Sequence, residues 1–410
     1  MTESSNAGAA TGGLGRLPAA LALLLFYGVL TLWVRERWAL GLFQAGAFLL
    51  GMVWTAWWAF GKVAFRGSFL LLPFTGAVAW GVLQLLLRTT VYRFDTWEAV
   101  LFWGTLFVVV FLSLQTLHED AVRRAFLRAL FYFGFAMSVL ATTQYFTSGG
   151  KVYWLFPSGY PDALGPFVYR NNYAAFIELM LPLAILEALR DRQRALPHSI
   201  MAGVMYASVI ASASRAGAVL ATLEVLVVLA LAPGKRLISR RRLGVAMLAI
   251  LASAILFTGV VGWRVLLDRL KQPDPFVHRR EMLQSSLAMA RERPWMGFGL
   301  GSFQEVYPAY ATFDIGLIVN HAHNDWAEWL AEGGVPFLLL LASVALWSVG
   351  PAFRSIWGVG LLSVFLHALV DYPMQRLGLA AWVFVLLGTL AAEERARSRA
   401  IRAAAAPTLS

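Results

Sequence analysis

Four polar segments of the chain contain residue types that could carry out chemistry. They read GPFVYRNNYAAF at 165–176, ASASRAG at 211–217, HRREML at 278–283 and HAHNDWAEWLAEGG at 321–334. Arginine binds phosphate oxyanions through a planar fork of N–H donors, and histidine exchanges protons near neutral pH. Cysteine is absent, which excludes disulfides, thiolate metal sites and a cysteine nucleophile. The segments therefore predict a site for an anionic ligand that relies on arginine and histidine.

Arg215 lies in a connection so short that it must sit at the boundary of two apolar segments. A charge there is costly unless it reaches polar surroundings or has a partner. Its guanidinium suits a phosphate or diphosphate, because the donor fork can bind two oxygens at once. An interfacial arginine that anchors a helix end is the alternative interpretation.

Two adjacent arginines begin a short helix that the apolar pattern predicts at about 279–292. Arg279 aligns with Leu283 and Leu287 on the apolar stripe, whereas Arg280 leans away from it. Either arginine could contact an anion, and either could instead be a solvated residue at the helix start.

His321 and His323 are separated by one alanine and are followed by Asn324 and Asp325. Two histidines with nearby carboxylates can bind a metal, but this spacing outside a strand gives weak support for a metal site. One histidine acting as a base or hydrogen-bond donor fits the pattern better, because imidazole titrates near neutral pH. A loop histidine without a chemical role is the remaining alternative.

The elements that must position these residues are membrane-spanning helices. Of the 410 residues, 59% are hydrophobic and only 14% are charged, which lies outside the soluble range. Charge-poor stretches recur along nearly the whole chain, and each can cross a hydrocarbon core of about 30 Å. The predicted fold is an all-α integral membrane protein with about twelve transmembrane helices and one large external loop that contains short helices. We place the spans at 17–34, 38–60, 68–87, 97–117, 125–146, 173–189, 197–212, 216–232, 243–263, 335–350, 355–370 and 377–392.

Basic residues give these spans an orientation. With the N-terminus inside, the cytoplasmic segments contain 19 Lys and Arg residues and the short external loops contain 8, in line with the positive-inside rule. The net charge of +11 is thus explained by lipid and topology, and nucleic acid is not expected as a partner. The predicted organisation is a cytoplasmic tail at 1–16, nine transmembrane helices at 17–263, an external loop with the catalytic motifs at 264–334, three helices at 335–392 and a cytoplasmic tail at 393–410.

The external loop is long, basic and therefore expected to be functional. Its second short helix is predicted at about 325–332, with Asn324 as N-cap and Gly333 and Gly334 at its end. GFGLGS at 297–302 is similar to a phosphate-binding glycine loop, but it follows no strand and opens no evident helix. We interpret it as a flexible turn.

The same motifs resemble a known family. HNDWAEWLAEGG is similar to the His-Asn motif of the O-antigen ligase and Wzy-type O-antigen polymerase superfamily of bacterial envelope glycosyltransferases. SASRAG, RREML followed by PWMGFGLGSF and YPAY, and FVYRNNYAAF followed by LPLA are similar to the other signatures of that superfamily. The resemblance covers about 160–375, and the order and spacing of the motifs make the set specific.

This resemblance implies a metal-independent, inverting glycosyltransferase of the bacterial inner membrane, with its active site facing the periplasm and no cofactor. The glycan would move from undecaprenyl diphosphate to an acceptor hydroxyl of lipid A-core, and membrane lipid is a further expected partner. His323 would contact that hydroxyl or help remove its proton, while Arg215 and Arg279 would hold the diphosphate leaving group. The expected substrate-binding residues are Arg170, Asn172, Arg280, His321 and Asn324.

Two alternatives remain open at this stage. A Wzy-type polymerase of the same superfamily would pass the glycan to another lipid-linked repeat instead of lipid A-core. A membrane transporter is more distant, and its support is the presence of Glu178 and Glu224 within predicted spans. Both glutamates could instead pair with polar groups between helices, and the sequence contains no matched halves.

Overall fold

A computed structural model describes residues 16–160, 163–191, 193–234, 240–261, 277–312, 316 and 318–405. Most of the predicted N-terminal tail and the first part of the predicted external loop, 264–276, lie outside the described residues. Within the described residues, the regular structure is helical apart from a short antiparallel hairpin of β1 (Lys151–Val152) and β2 (Phe156–Pro157). The helices in chain order are α1 (Arg16–Leu30), α2 (Arg37–Ala59), α3 (Leu71–Leu87), α4 (Arg93–Thr116), α5 (Asp120–Thr147), α6 (Arg170–Arg190), α7 (Ala195–Ala211), α8 (Arg215–Gly234), α9 (Arg240–Val261), α10 (Val277–Glu292), α11 (Phe303–Val306), α12 (Asp325–Ser355), α13 (Val359–His367) and α14 (Leu377–Ala405).

In the described part of the chain, seven helices are long and apolar enough to cross a membrane, namely α2, α4, α5, α6, α8, α12 and α14. Shorter apolar helices are α1, α3, α7 and part of α9. The chain is therefore a helical multi-pass membrane protein, as its composition predicts. Each of the twelve predicted spans overlaps a helix. However, α13 has only 9 residues, about 14 Å of helix, so the count of twelve crossings stays a prediction.

The helices differ in how they use their apolar surface. The apolar stretch of α6 is buried along its whole length, and that of α14 is almost entirely buried. Both helices therefore lie inside the bundle. By contrast, α2 exposes large apolar side chains such as Leu49, Met52 and Trp58. An apolar surface of this kind suits lipid contact. The polar residues at the start of α6 thus sit on the most deeply enclosed helix of the bundle.

The bundle has two polar ends, which the contacts of α14 distinguish. Its first residue, Leu377, lines a cavity together with His323, and we call this the site end. Further along α14, Glu394 pairs with Arg354 at 2.7 Å, and Glu393 accepts a hydrogen bond from Ser355 at 3.0 Å. We call this the arginine-rich end. The segment predicted as a tail from 393 onward continues α14 as helix up to Ala405.

Within the bundle, the two intramembrane glutamates named above have different surroundings. Glu178 of α6 pairs with His367 at the end of α13, with 2.8 Å between Oε1 and Nδ1, and both side chains are fully buried. Glu178 therefore pairs with a polar group of another helix, which is the interpretation that competes with a role in transport. Glu224 of α8 is also fully buried, and neither of its carboxylate oxygens has a hydrogen-bond partner among the described residues.

The first loop helix, predicted at 279–292, forms as α10 and is fixed by a buried carboxylate. Glu281 accepts hydrogen bonds from the Ser285 hydroxyl at 2.8 Å, from the backbone N–H of Thr312 at 3.0 Å and from the hydroxyl of Tyr307. A buried carboxylate is tolerated when its oxygens are satisfied in this way. The start of α10, which contains Arg279, is therefore held in place by the loop that follows it.

The second loop helix begins and ends where the sequence predicts. The Asn324 side chain accepts a hydrogen bond from the Ala327 N–H at 3.0 Å and so caps α12. At Gly334 the backbone leaves the helical conformation, with φ of 71°, and the next helical segment follows at once. The polar groups freed by this kink are used elsewhere, because Val335 donates to the Pro294 carbonyl at 2.8 Å.

The glycine turn at 297–302 is a packed connection and not the flexible turn expected from its sequence. Gly297, Gly299 and Gly301 all have positive φ, which glycine adopts without steric cost. A side chain at Gly297 would lie 2.2 Å from the Glu332 carbonyl, so the turn is pressed against the kinked helix. The glycines therefore provide close packing between the loop and α12.

Candidate active site

A cavity of about 950 Å³ opens at the site end. Its walls come from the α1–α2 connection, the approach to α6, the start of α10, the segment before α12 and the segment between α13 and α14. Among the described lining residues, Glu36 is the one carboxylate, against the four arginines Arg35, Arg37, Arg279 and Arg376. The cavity is therefore suited to a negatively charged group.

Asp371 lies behind the cavity wall and collects most of the polar contacts of the site. Its side chain is only 1% exposed. Its Oδ2 accepts hydrogen bonds from Arg279 at 3.0 Å, from the Tyr169 hydroxyl at 3.3 Å and from the amide of Asn171. The nitrogen Nδ1 of His323 lies 3.4 Å from Oδ1. One buried carboxylate thus joins residues from three other segments of the chain.

The arrangement favours the charged forms of Asp371 and Arg279. Burial alone would raise the pKa of Asp371, but the hydrogen bond from His323 and the charge of Arg279 hold that pKa below its usual value. Burial would likewise lower the pKa of Arg279, but the Asp371 charge and the Tyr169 hydroxyl raise it above its usual value. The pair is therefore an ion pair throughout the neutral range.

Arg279 is oriented by two further contacts. One terminal nitrogen donates to the Val370 carbonyl at 2.7 Å, and the other reaches the Tyr169 hydroxyl at 3.0 Å as well as Asp371. Burial, followed by the Asp371 charge, raises the pKa of Tyr169, so its phenol stays protonated and can donate to the carboxylate. The guanidinium is fixed in the cavity wall and remains about one quarter exposed.

His323 has the geometry of a base held by a carboxylate. Its φ is +51°, a left-handed conformation that costs a non-glycine residue free energy and that recurs at functional sites. Since Nδ1 faces Asp371, a proton on Nδ1 leaves Nε2 as the ring nitrogen able to accept another. The separation of 3.4 Å is longer than a tight hydrogen bond, as is common for catalytic pairs in substrate-free geometry.

His321 is held by a different carboxylate. Its Nδ1 lies 2.9 Å from Oε1 of Glu328, whose other oxygen accepts from the Ala322 N–H at 2.7 Å. The Tyr372 ring stacks on His321 at 4.6 Å and meets His323 edge-on at 4.8 Å. The two histidines therefore flank one aromatic ring. No cluster of three or more histidine, cysteine or acidic residues in the described part of the chain could hold a metal ion.

The structure brings four of the predicted site residues to one cavity: Asn172, Arg279, His321 and His323. Asn172 is only 6% exposed, and its Oδ1 has no hydrogen-bond partner among the described residues. A buried amide oxygen without a partner is costly, which makes it a candidate to meet a ligand donor. The adjacent Asn171, which the sequence did not single out, serves Asp371 instead.

The other four predicted residues are not among the described residues that line this cavity. Asn324 uses both ends of its amide within the protein, capping α12 and donating to the Leu369 carbonyl at 2.7 Å. Arg215 begins α8 and is partly buried there, Arg170 begins α6, and Arg280 is exposed on α10. Their roles in substrate binding stay predictions.

The sequence does not single out several functional candidates, although Tyr169 lies within the polar segment at 165–176. Asp371, Tyr169 and Tyr372 surround His323, and a signal for Asp371 was present as a lone acidic residue near the end of an apolar stretch. Arg35, Arg37 and Arg376 were counted only as external loop charges. The folded chain places these three arginines around the cavity.

Fold and site together define a multi-pass membrane protein with a cavity lined by arginine and histidine. Comparison with protein families gives the relationship: residues 200–342 match the Wzy_C model, described as O-antigen ligase. The matched region extends from α7 into α12 and contains Arg215, Arg279, His321 and His323. The predicted relationship to the O-antigen ligase and Wzy superfamily is confirmed, and it implies a glycosyltransferase-like enzyme. Comparison with curated proteins found no match.

Proposed function

We propose that the protein transfers a glycan from undecaprenyl diphosphate to an acceptor hydroxyl of lipid A-core, as an inverting glycosyltransferase. The observation that carries this proposal is the joint attachment of His323 and Arg279 to Asp371 at the wall of the arginine-lined cavity. A base for the acceptor and a cation for the leaving group are thus held by one carboxylate.

In the proposed reaction, the acceptor oxygen forms a bond to the anomeric carbon while the bond from that carbon to the diphosphate oxygen breaks. Nε2 of His323 accepts the hydroxyl proton, and Asp371 stabilises the imidazolium that results. The diphosphate leaves with the bonding electron pair and gains negative charge. Arg279 meets this charge, and a fixed cation there stabilises the transition state more than the ground state.

The other cavity arginines would contact parts of the substrates away from the reacting atoms. Arg35, Arg37 and Arg376 would surround the diphosphate and the acidic parts of the substrates, and Asn172 would accept a hydrogen bond from a sugar hydroxyl. Arg215 is proposed as a second ligand of the diphosphate. With arginines supplying the positive charge, we expect a chelator to leave turnover unchanged, and restoration of a chelated enzyme by a divalent ion would contradict the metal-independent reaction.

The proposed orientation places the site end in the periplasm and the arginine-rich end in the cytoplasm of a bacterial inner membrane. Single cysteines test it without background, because the chain has none. Ile318 is 81% exposed at the site end, and Ser398 is exposed on α14. We expect an impermeant maleimide to label Ile318→Cys and not Ser398→Cys in spheroplasts. Labelling of Ser398→Cys alone would reverse the orientation.

A strain that lacks the protein distinguishes ligase from polymerase. As a ligase, its loss leaves full-length glycan on undecaprenyl diphosphate and lipid A-core unmodified. As a Wzy-type polymerase, its loss instead leaves lipid A-core with a single repeat unit. We expect the ligase pattern on a lipopolysaccharide gel, with rescue by the wild-type protein and no rescue by His323→Ala. A single-repeat band would support the polymerase.

A further inference from the structure

The arginine-rich end contains two groups of arginines with opposite surroundings. Arg123, Arg354 and Arg397 are all paired with carboxylates: Arg123 with Asp120 at 2.6 Å, Arg354 with Glu394 at 2.7 Å and Arg397 with Glu394 at 2.9 Å. Arg66, Arg395 and Arg399, which we call the arginine triad, make no ion pair with a carboxylate in the described part of the chain. The acidic side chains of this end therefore leave the arginine triad without a direct carboxylate partner, and the nearby Glu119 offsets part of the charge of Arg66.

The triad is a cluster because of how two segments meet. Arg395 donates to the backbone carbonyl of Gly67, the residue that follows Arg66. Arg399 lies four residues beyond Arg395 on α14 and so faces the same way, one helical turn further on. Consistent with this proximity, burial and then the charges of Arg399 and Arg395 lower the pKa of Arg66. Like charges held together in this manner favour an anion between them.

Arg66 is built into its position by a buried glutamine. The Gln115 side chain is fully buried, accepts from the Arg66 N–H at 2.8 Å and donates to the Arg66 carbonyl at 2.8 Å. The guanidinium then lies 3.0 Å from Nε2 of His118, whose Nδ1 lies 3.1 Å from the Gln115 carbonyl. Since that carbonyl can only accept, Nδ1 carries the imidazole proton and Nε2 accepts from Arg66. These neutral contacts orient the guanidinium without cancelling its charge.

The surroundings of the triad indicate where its anion comes from. Phe65 and Phe69, on either side of Arg66 in sequence, are 54% and 87% exposed. Exposed aromatic rings beside arginines are typical of the boundary between lipid tails and head groups. A phosphate at this boundary, with apolar chains beside it, belongs to a phospholipid.

We propose that the arginine triad binds the phosphate group of an anionic phospholipid at the arginine-rich end, with Phe65 and Phe69 against its acyl chains. This site lies at the opposite end of the bundle from the glycan-transfer site and does not depend on the proposed function. A guanidinium suits a phosphodiester, because its donor fork matches two phosphate oxygens.

Lipid titration of the purified full-length protein in neutral detergent tests the proposal, with binding followed by native mass spectrometry. We expect phosphatidylglycerol to bind at least about fivefold more tightly than phosphatidylcholine, and Arg66→Gln to remove most of that difference. Arg399→Gln, an exposed position, should weaken binding about fivefold and serves where Arg66→Gln fails to fold. The matched control is Lys62→Gln, which removes an exposed charge from the same loop and should leave binding unchanged.

Each other outcome overturns the proposal. Equal loss in Lys62→Gln would reduce the effect to unspecific surface charge. Equal binding of the two lipids would mean that the protein does not recognise the net negative charge of the phospholipid. Inorganic phosphate that competes with phosphatidylglycerol at equal concentration would identify a free oxyanion site instead of a lipid site. Unchanged binding in both arginine variants would remove the triad from the interaction.

Discussion

The two ends of the bundle use the same residue types in different ways. At the arginine-rich end, Glu393 and Glu394 are each about one sixth exposed and pair with arginines on their own or neighbouring helices. At the site end, the 1% exposed Asp371 is shared by Arg279 and His323 at the edge of a cavity. Distributed pairs hold helices together, whereas a single buried carboxylate at a cavity holds chemical groups in fixed positions.

This difference matters because ion pairs alone do not identify a site. Partly exposed pairs contribute about 0–1 kcal/mol and are screened by salt. A buried carboxylate must be fully satisfied to be tolerated, so removing one partner affects every other group that it holds. Substitutions at the site end are therefore expected to damage function far more than equivalent substitutions at the arginine-rich end.

The largest effect is expected at His323. His323→Ala removes the proposed base, and general base catalysis typically contributes ~10²–10⁴-fold in rate. We expect the transfer rate to decrease by a factor in that range in membranes that contain lipid-linked glycan and lipid A-core. The amount of inserted protein should be unchanged. His321→Ala is the matched control, because His321 lines the same cavity but is held by Glu328. An essential His321 beside a dispensable His323 would reverse the assignment.

Asp371→Asn should have the next largest effect. The amide keeps the shape of the side chain but removes the charge that orients His323 and Arg279. Residues that orient catalytic or metal-binding groups typically contribute ~10–100-fold. We expect a loss of that size in kcat with little change in KM for the acceptor, because Asp371 lies behind the cavity wall. A loss confined to KM would show that Asp371 supports substrate binding and not the base.

Lysine substitutions at the two proposed diphosphate ligands, Arg279 and Arg215, should have the next largest effect on transfer. Arg279 uses both terminal nitrogens, on Val370 and on Asp371, and an ammonium cannot reproduce this planar arrangement. We expect Arg279→Lys to lose about tenfold or more in transfer. Arg215→Lys should be nearly as damaging as Arg215→Ala if Arg215 also binds the diphosphate. Full activity in Arg215→Lys would make Arg215 an electrostatic anchor at the start of α8.

The sequence predicts much of this site because local rules determine its parts. Asn324 precedes a helical pattern and caps α12, and the glycine pair breaks that helix at Gly334. The apolar stripe predicted for α10 does not orient Arg279, because Leu287 is exposed and the buried face carries Met282 and Met289 instead. Contacts with Val370 and Asp371 orient Arg279. What local rules cannot supply is a meeting between segments. Asp371 lies 48 residues after His323, and contacts between the start of α12 and the segment after α13 bring the two together, including a hydrogen bond from the Asp325 N–H to the Asp371 carbonyl at 3.2 Å.

The count of transmembrane helices shows the same limit. Hydropathy locates the apolar segments, and a helix overlaps each of them. Hydropathy does not reveal that α13 has only 9 residues. After α13 the chain turns into the site, where Val370 and Asp371 contact Arg279. The cavity arginines Arg35 and Arg376 were likewise recognisable as charges but not as neighbours, since their proximity arises only in the folded bundle.

The smallest effect is expected at the arginine-rich end, at Arg397. This side chain is 35% exposed and pairs with Glu393 at 3.5 Å and with Glu394 at 2.9 Å on its own helix. Removal of such a pair costs about 0–1 kcal/mol of stability, and both carboxylates keep other partners in Ser355 and Arg354. We expect Arg397→Gln to retain transfer within about twofold of wild type. Its unfolding temperature should be slightly lower than that of wild type at low salt and unchanged at high salt. A loss comparable to that of Arg279→Lys would mean that the two ends are coupled, and that the ion pairs along α14 help to shape the site.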